Sequence, residues 1–236
     1  MDKMFGYALR RLSDVILQLP IRIRRLVLHV VDPKSWFDVA YATFPIWVAG
    51  AFWLLELLLL LLEIAGLAEW YELLAFVFKF RTRKLNEQEF RIAKSIFGNT
   101  LPYARIRIDE SAHIGPRQGR FCYVSFFTLN SWGKISSTLL IHELTHVWQY
   151  QKLGICYIPR ALAAQRTASG YNYGGEAGLE QAIASGKGLA FFNLEQQADL
   201  VEDYYRLQNG LPAKWNRNAV PRPELYESVL SSLINR

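Results

Sequence analysis

The sequence predicts an α+β protein, mostly helical with a small sheet, preceded by a hydrophobic helical segment that associates with a membrane. Three observations carry this. A long apolar run fills residues 44–66, FPIWVAGAFWLLELLLLLLEIAG. Two segments, 139–149 and 193–205, place chemically active residues at helical spacing. Between these regions lie alternating stretches, Arg105-Ile106-Arg107-Ile108 and Phe121 to Leu129, that read as strands. The expected organisation is a basic N-terminal region, 1–84, with a hydrophobic helix or hairpin at about 44–80, and a second domain over 85–236.

The N-terminal 43 residues are basic and mixed. Leu9, Leu12, Val15, Ile16 and Leu19 form an amphipathic stripe up to Pro20, and Arg22, Arg24 and Arg25 follow, alternating at first with Ile21 and Ile23. A cleavable signal peptide would set its apolar core soon after the start; that core is missing, so export by that route is not expected.

In residues 44–66 the length suffices to span a membrane, since about 20 residues at 1.5 Å each cross the hydrocarbon core. Its thirteen Leu, Ile, Val and Phe residues contribute roughly −4 to −8 kcal/mol on insertion scales, and a central acid costs about 2.5–3.5 kcal/mol. Glu56 is central and Glu63 nearer the end; seven apart, they share one helix face and can meet a partner helix or water. The patch from Tyr71 to Phe80 is too short to cross alone, and Gly66 marks a bend before it. A transmembrane helix, a hairpin within one leaflet and a soluble helix covered by its own domain all fit. Basic residues flank both sides, Arg10, Arg11, Arg22, Arg24, Arg25 and Lys34 before and Lys79, Arg81, Arg83 and Lys84 after. Trp36, Trp47, Trp53, Trp70 and Tyr71 suit the interfacial belts. Membrane lipid is therefore the expected partner of residues 44–80, with both ends cytoplasmic.

The later domain opens with a helix over 85–100, ending at Gly98-Asn99. The two strands follow, joined by Ser111 to Gly119 with its Gly115-Pro116 turn. Phe121–Leu129 is the candidate edge strand for an extended peptide, against the plainer reading of an internal strand. His113, in the loop, could serve as a ligand, but a surface residue is the plainer reading.

Leu139 to Gln149 reads H-E-x-x-H inside an apolar run without proline. On a helix, His142 and His146 lie one turn apart on one face and can meet one metal ion, with Glu143 beside them to polarise water. The competing reading is a buried helix with incidental histidines, but two of the chain's four His flanking a Glu at this spacing disfavour it. A zinc site usually needs a third protein ligand. In the metzincin pattern it would follow shortly as His; Gln149 and Lys152 stand in those places. Asn193 to Tyr205 offers the alternative. Asn193 is a good N-cap and Gly210 a good stop. Glu195, Asp199, Glu202 and Arg206 form one polar stripe, and small Ala198 beside it permits close approach. Glu195 as third ligand, with Asp199 accepting a hydrogen bond from a ligand imidazole, competes with a solvated acidic face.

H-E-L-T-H together with E-Q-Q-A-D resembles the gluzincin peptidases, and H-E-L-T-H-V-W-Q is similar to a small zincin-like domain encoded near bacterial contractile injection systems and polymorphic toxins. The resemblance covers roughly residues 85–210. It implies a zincin-like metallopeptidase fold, Zn²⁺ held by His142, His146 and Glu195, Glu143 as general base, and Asp199 supporting a ligand. It does not specify the substrate.

Residues 153–192 include the turn-rich Gly170-Tyr171-Asn172-Tyr173-Gly174-Gly175, and Leu179–Ala184 looks helical. A phenol near the metal can stabilise an oxyanion; Tyr171, Tyr173 and Tyr204 are candidates. Residues 211–223, with Pro212, Pro221 and Pro223, read as a loop and 224–235 as a terminal helix.

The formal charge of +6 joins no lysine- or arginine-rich run with stacking aromatics, so it favours an anionic membrane over nucleic acid, and no nucleic-acid partner is expected. Cys122 and Cys156 make no disulfide framework and favour a reducing compartment. The reading is a membrane-associated zinc metalloendopeptidase acting on protein or peptide substrates, at a bacterial inner membrane with its catalytic domain cytoplasmic. Hydrolysis of a non-peptide amide would use the same site. The alternative from another class is a non-catalytic zincin-like interaction module, or a membrane-inserting effector of a secretion or toxin system, acting on a partner protein or the bilayer.

Overall fold

The computed structural model describes residues 2–32, 44–78, 81–113, 116–119, 121–216 and 222–234. Lys34, Trp36, Lys79, Phe80, Gly115 and Pro221, named above, lie outside them. The protein is mostly helical with a small three-stranded sheet. It divides into two compact units, Met1–Arg81 with Tyr150–Arg160, and Thr82–Gln149 with Ala161–Arg236. The return of residues 150–160 to the first unit has no signal in composition.

In the first unit α1 spans Asp2–Val31, α2 Ile46–Ile64 and α3 Leu67–Phe78. α1 passes through Pro20, where the stripe was expected to stop. Pro20 is exposed, so its ring and missing N–H disturb only one hydrogen bond on the outer side. α1 packs on both α2 and α3, and α2 on the turn 154–156. Gly66, at φ +83°, makes the bend between α2 and α3 in a left-handed conformation that favours glycine. α2 is long and apolar enough to cross a membrane by length and composition, and most of it faces outward.

In the second unit α4 spans Glu87–Phe97 behind a capping box made by Asn86 and Glu89. β1 is Arg107–Asp109; a short helical turn, α5, covers Pro116–Gly119. The stretch 121–129 is not one strand. It folds back on itself as β2, Tyr123–Ser125, and β3, Thr128–Asn130, in antiparallel register with Val124 opposite Leu129. The reversal at Phe126-Phe127 holds Phe126 at φ +56°. Without Gly, Asn or Asp there, the hairpin left no turn signal. β3 is central, parallel to β1, and β2 forms an outer edge. The candidate edge strand is thus half edge and half interior.

α6 spans Ser137–Leu153, α7 Tyr157–Gln165, α8 Gly175–Ala184, α9 Leu194–Gln208 and α10 Pro223–Ile234. α10 packs on α4, α8 and α9. Its Tyr226, Val229, Leu230 and Leu233 are buried, as are Phe97 of α4, Ile108 of β1 and Leu129 of β3. Leu140, Ile141, Leu144 and Val147 are buried too, which makes α6 a core helix on nearly all sides.

Candidate metal centre

α6 presents His142, Glu143 and His146; α9 presents Glu195, Asp199, Glu202 and Asp203. All seven are buried. The acidic stripe of α9 is therefore not a solvated face. Ala198 is fully buried beside it. α9 starts where it does because Asn193 accepts from the Gln196 amide while the Gln196 side chain accepts from the Asn193 N–H. This capping box sets Glu195 in the first turn.

The imidazoles face each other at 5.0 Å between ring centres. Nε2 of His142 lies 3.5 Å from Oε2 of Glu195, and Nε2 of His146 lies 3.4 Å from the same oxygen. That oxygen is buried and has no hydrogen-bond partner. Its twin, Oε1, accepts from Gln165 Nε2 at 2.8 Å. One ligand atom from each of His142, His146 and Glu195 falls within 4.8 Å of the others. Two imidazole nitrogens converging on an orphaned carboxylate oxygen fit a metal ion in donor type and number. His142, Asp199 and Glu202 form an overlapping second group within the same limit.

The outer ring nitrogens are held. His142 Nδ1 donates to Asp199 at 2.9 Å. Asp199 also accepts from Trp215 Nε1 at 2.6 Å and Lys214 Nζ at 2.9 Å. His146 Nδ1 donates to Gln149 Oε1 at 2.8 Å, and Gln149 Nε2 donates to the Leu194 carbonyl and to Gln197 Oε1. Such supports orient ligand rings and raise their basicity.

Electrostatics follow from this crowding. Burial disfavours charge on His142, but its hydrogen bond to Asp199 and the nearby Glu195 and Glu143 carboxylates outweigh it and push the metal-free ring up to about 10. His146 moves up as well, burial being outweighed by Glu195. Burial works against the Glu195 carboxylate, yet His146 and His142 hold it well below the usual range. Glu143 is different. Burial raises it and the two histidines only partly oppose that. Its Oε2 is buried without a hydrogen-bond partner. The Cys122 thiol donates to Glu143 and is itself held protonated by burial and by that carboxylate.

The candidate tyrosines separate. The Tyr171 ring sits 6.1 Å from that of His142, and its hydroxyl is held protonated by burial and by Glu195, Asp199 and Glu143. Tyr173 does not face the histidines: its hydroxyl donates to Asp203 at 2.7 Å and meets Tyr226. Tyr204 donates to Glu227. Both hydroxyls are thus spent on other partners. His113 lies against Trp132, ring to ring, and is exposed. Sequence reasoning missed Gln165, Lys214, Trp215 and Cys122, which come from loops or distant helices with no periodic signal. Gln149 was missed as well, although it lies three residues past His146 on the same helix face.

No family model matches the chain, and no solved structure matches it. A curated relative, the type VI secretion system spike protein VgrG2b of Pseudomonas aeruginosa, is 29% identical over 141 residues. The match takes in 54% of this chain and 13% of that protein, so this chain corresponds to a small part of the relative's length.

Proposed function

We propose that the chain is a zinc-dependent metalloendopeptidase of the gluzincin type. The supporting observation is the convergence of two imidazole Nε2 atoms on the orphaned Oε2 of Glu195, with the buried Glu143 alongside, whose Oε2 also has no hydrogen-bond partner. His142, His146 and Glu195 would hold the ion. Bound zinc supplies Lewis acidity, lowering the pKa of water toward about 7 and polarising a carbonyl.

Glu143 takes the proton from the attacking water and passes it to the leaving amine; burial raises its pKa, which suits a carboxylate that must carry a proton briefly. Asp199 keeps the His142 ring oriented through Nδ1. Tyr171, kept protonated and with its ring 6.1 Å from that of His142, is the candidate phenol to donate to the carbonyl oxygen of the substrate. The outer edge of β2 offers main-chain groups to an extended peptide. The enzyme belongs at a bacterial inner membrane, held through residues 44–80, with the metal site cytoplasmic; the likeness to a bacterial protein supports the origin and the outward apolar face of α2 supports the membrane.

A second reading has support of its own. The partial likeness to a secretion-system spike protein, with the exposed apolar helices, favours a membrane-inserting or interaction module in such a system. Two variants separate the readings. Glu195→Ala should lose near-stoichiometric zinc by elemental mass spectrometry. Glu143→Gln should keep zinc and lose hydrolysis of a casein substrate by 10²-fold or more, roughly the contribution of one general base. Wild-type zinc retained in Glu195→Ala moves the third ligand elsewhere; full activity in Glu143→Gln ends the mechanism and leaves the second reading.

A further inference from the structure

In the first unit the described charged side chains of α2 and α3, and most of those of α1, are turned inward. Arg11, Arg22, Arg25 and His29 fall within an arc of about 60° on α1, taking 100° per residue. That stripe is turned onto α2 and α3. Arg11 pairs with Glu72 at 2.6 Å, Arg22 with Glu69 at 2.6 Å and Arg25 with Glu63 at 3.2 Å. Arg22 also donates to the Glu63 carbonyl, and the Ile155 N–H to the Glu63 carboxylate. Arg160 makes a two-pronged bond to Glu56 at 2.7 and 2.8 Å, and His29 lies 3.5 Å from the same carboxylate. Between residues 46 and 78 the charged residues are Glu56, Glu63, Glu69 and Glu72. All four are buried.

The outward side is the reverse. On α1, Leu12, Ile16, Leu17, Val27 and Leu28 are exposed, Ile16 and Leu17 by 71% and 70%. On α2 and α3, Leu54, Leu58, Leu61 and Leu74 are half exposed or more. A water-soluble amphipathic helix turns its apolar stripe inward; α1 does the opposite. Among the described side chains of α1, Arg24 is the charged one exposed on this side, with the polar Ser13 and Gln18 also exposed on the helix, and its stem is long enough to carry the guanidinium to a headgroup.

We propose that α1, α2 and α3 form one lipid-embedded body with a polar interior, in which α1 meets the hydrocarbon of a bilayer alongside α2. The inference deepens the membrane placement proposed above and does not depend on the metal site. Lipid, rather than a protein partner, follows from two features. The apolar surface covers three helices rather than one patch. And exposed tryptophans mark both ends of α2: Trp47 in its first turn, and Trp70 just past its end at the start of α3. The 19 residues of α2 rise about 28 Å, close to the hydrocarbon thickness that separates two interfacial aromatic belts. The ion pairs make insertion feasible, because an unpaired charge in hydrocarbon is expensive and a paired, hydrogen-bonded one far less so.

The test uses the full chain with Cys122→Ser and Cys156→Ala. A single cysteine is introduced at Leu17, Leu58 or Leu211 in turn and carries a nitrobenzoxadiazole fluorophore. The protein is mixed with vesicles of phosphatidylglycerol and phosphatidylcholine, with or without acyl-chain doxyl lipid. Labels at Leu17 and Leu58 should be quenched about twofold or more, and the label at Leu211 in the second unit should not. Quenching at Leu58 alone would overturn the role of α1 and leave the membrane reading of α2 standing. Quenching at neither would overturn both. The pairing is tested in the Leu17-labelled protein: Arg22→Met should weaken quenching severalfold, and Arg22→Met with Glu69→Met should restore it. Equal quenching in the single and double variants would refute the internal ion pairs as the condition for insertion.

Discussion

His142 is the residue on which the pH behaviour of the metal-free protein turns. Its folded pKa is raised to about 10, so the stability it lends is fully present below the unfolded histidine value of about 6.5 and is lost as pH rises toward the folded value. Glu195 is depressed, so its contribution is present above the unfolded value of about 4.3 and is lost as pH falls below it. Thermal melts in chelator should therefore peak between about pH 4.5 and 6.5 and decline toward pH 9; a melting temperature still climbing over that upper range would contradict these pairings. Zinc bound as proposed would displace the His142 proton, so its apparent affinity should rise with pH, and calorimetry in buffers of different ionisation enthalpy should show proton release at pH 7. The pairing of His142 and His146 was legible because their i, i+4 spacing sets two side chains on one helix face. Lys214 and Trp215 were not, since a clamp on Asp199 from a proline-flanked loop has no period to detect.

At the scale of elements, α9 was readable from Asn193 and Gly210, which mark its ends by local chemistry. The β2–β3 hairpin was not, because Phe126 takes a left-handed turn position usually held by Gly, Asn or Asp. Its side chain explains the choice: Phe126 is only 6% exposed. Phe126→Gly would relieve about 1–2 kcal/mol of backbone strain but forfeit roughly 3–5 kcal/mol of buried aromatic. The expected net loss is about 1–4 kcal/mol in urea unfolding, and a gain would show that the ring contributes little. α1 was likewise misjudged at Pro20. A proline ends a helix when its neighbours need the lost hydrogen bond, and here the long packed face on α2 and α3 outweighs it.

Across the whole molecule, the candidate metal site and the buried ion pairs of α1–α3 lie in different units. Zinc at a hundredfold excess over its dissociation constant stabilises by about 2.7 kcal/mol, which for a unit of this size is a shift of roughly 5–15 °C. Chelation should lower the melting transition of the second unit by that much while amide-exchange protection in α1 and α2 stays unchanged. Equal loss of protection in both units would contradict the division. In sequence, Glu56 and Glu63 read as liabilities in an apolar run. Their partners Arg160 and Arg25 stand 104 and 38 residues away, and non-local pairs of that kind leave no trace in hydropathy.

Gln149 carries a consequence of its own. Its amide NH₂ is committed to two acceptors, the Leu194 carbonyl and Gln197 Oε1, so its oxygen has only one way to point, toward His146 Nδ1. Whenever that ring is neutral, its proton must therefore sit on Nδ1 and its lone pair on Nε2, aimed at Glu195. A single amide thus selects the tautomer, and the neutral ring presents its free lone pair on the side of the candidate metal site.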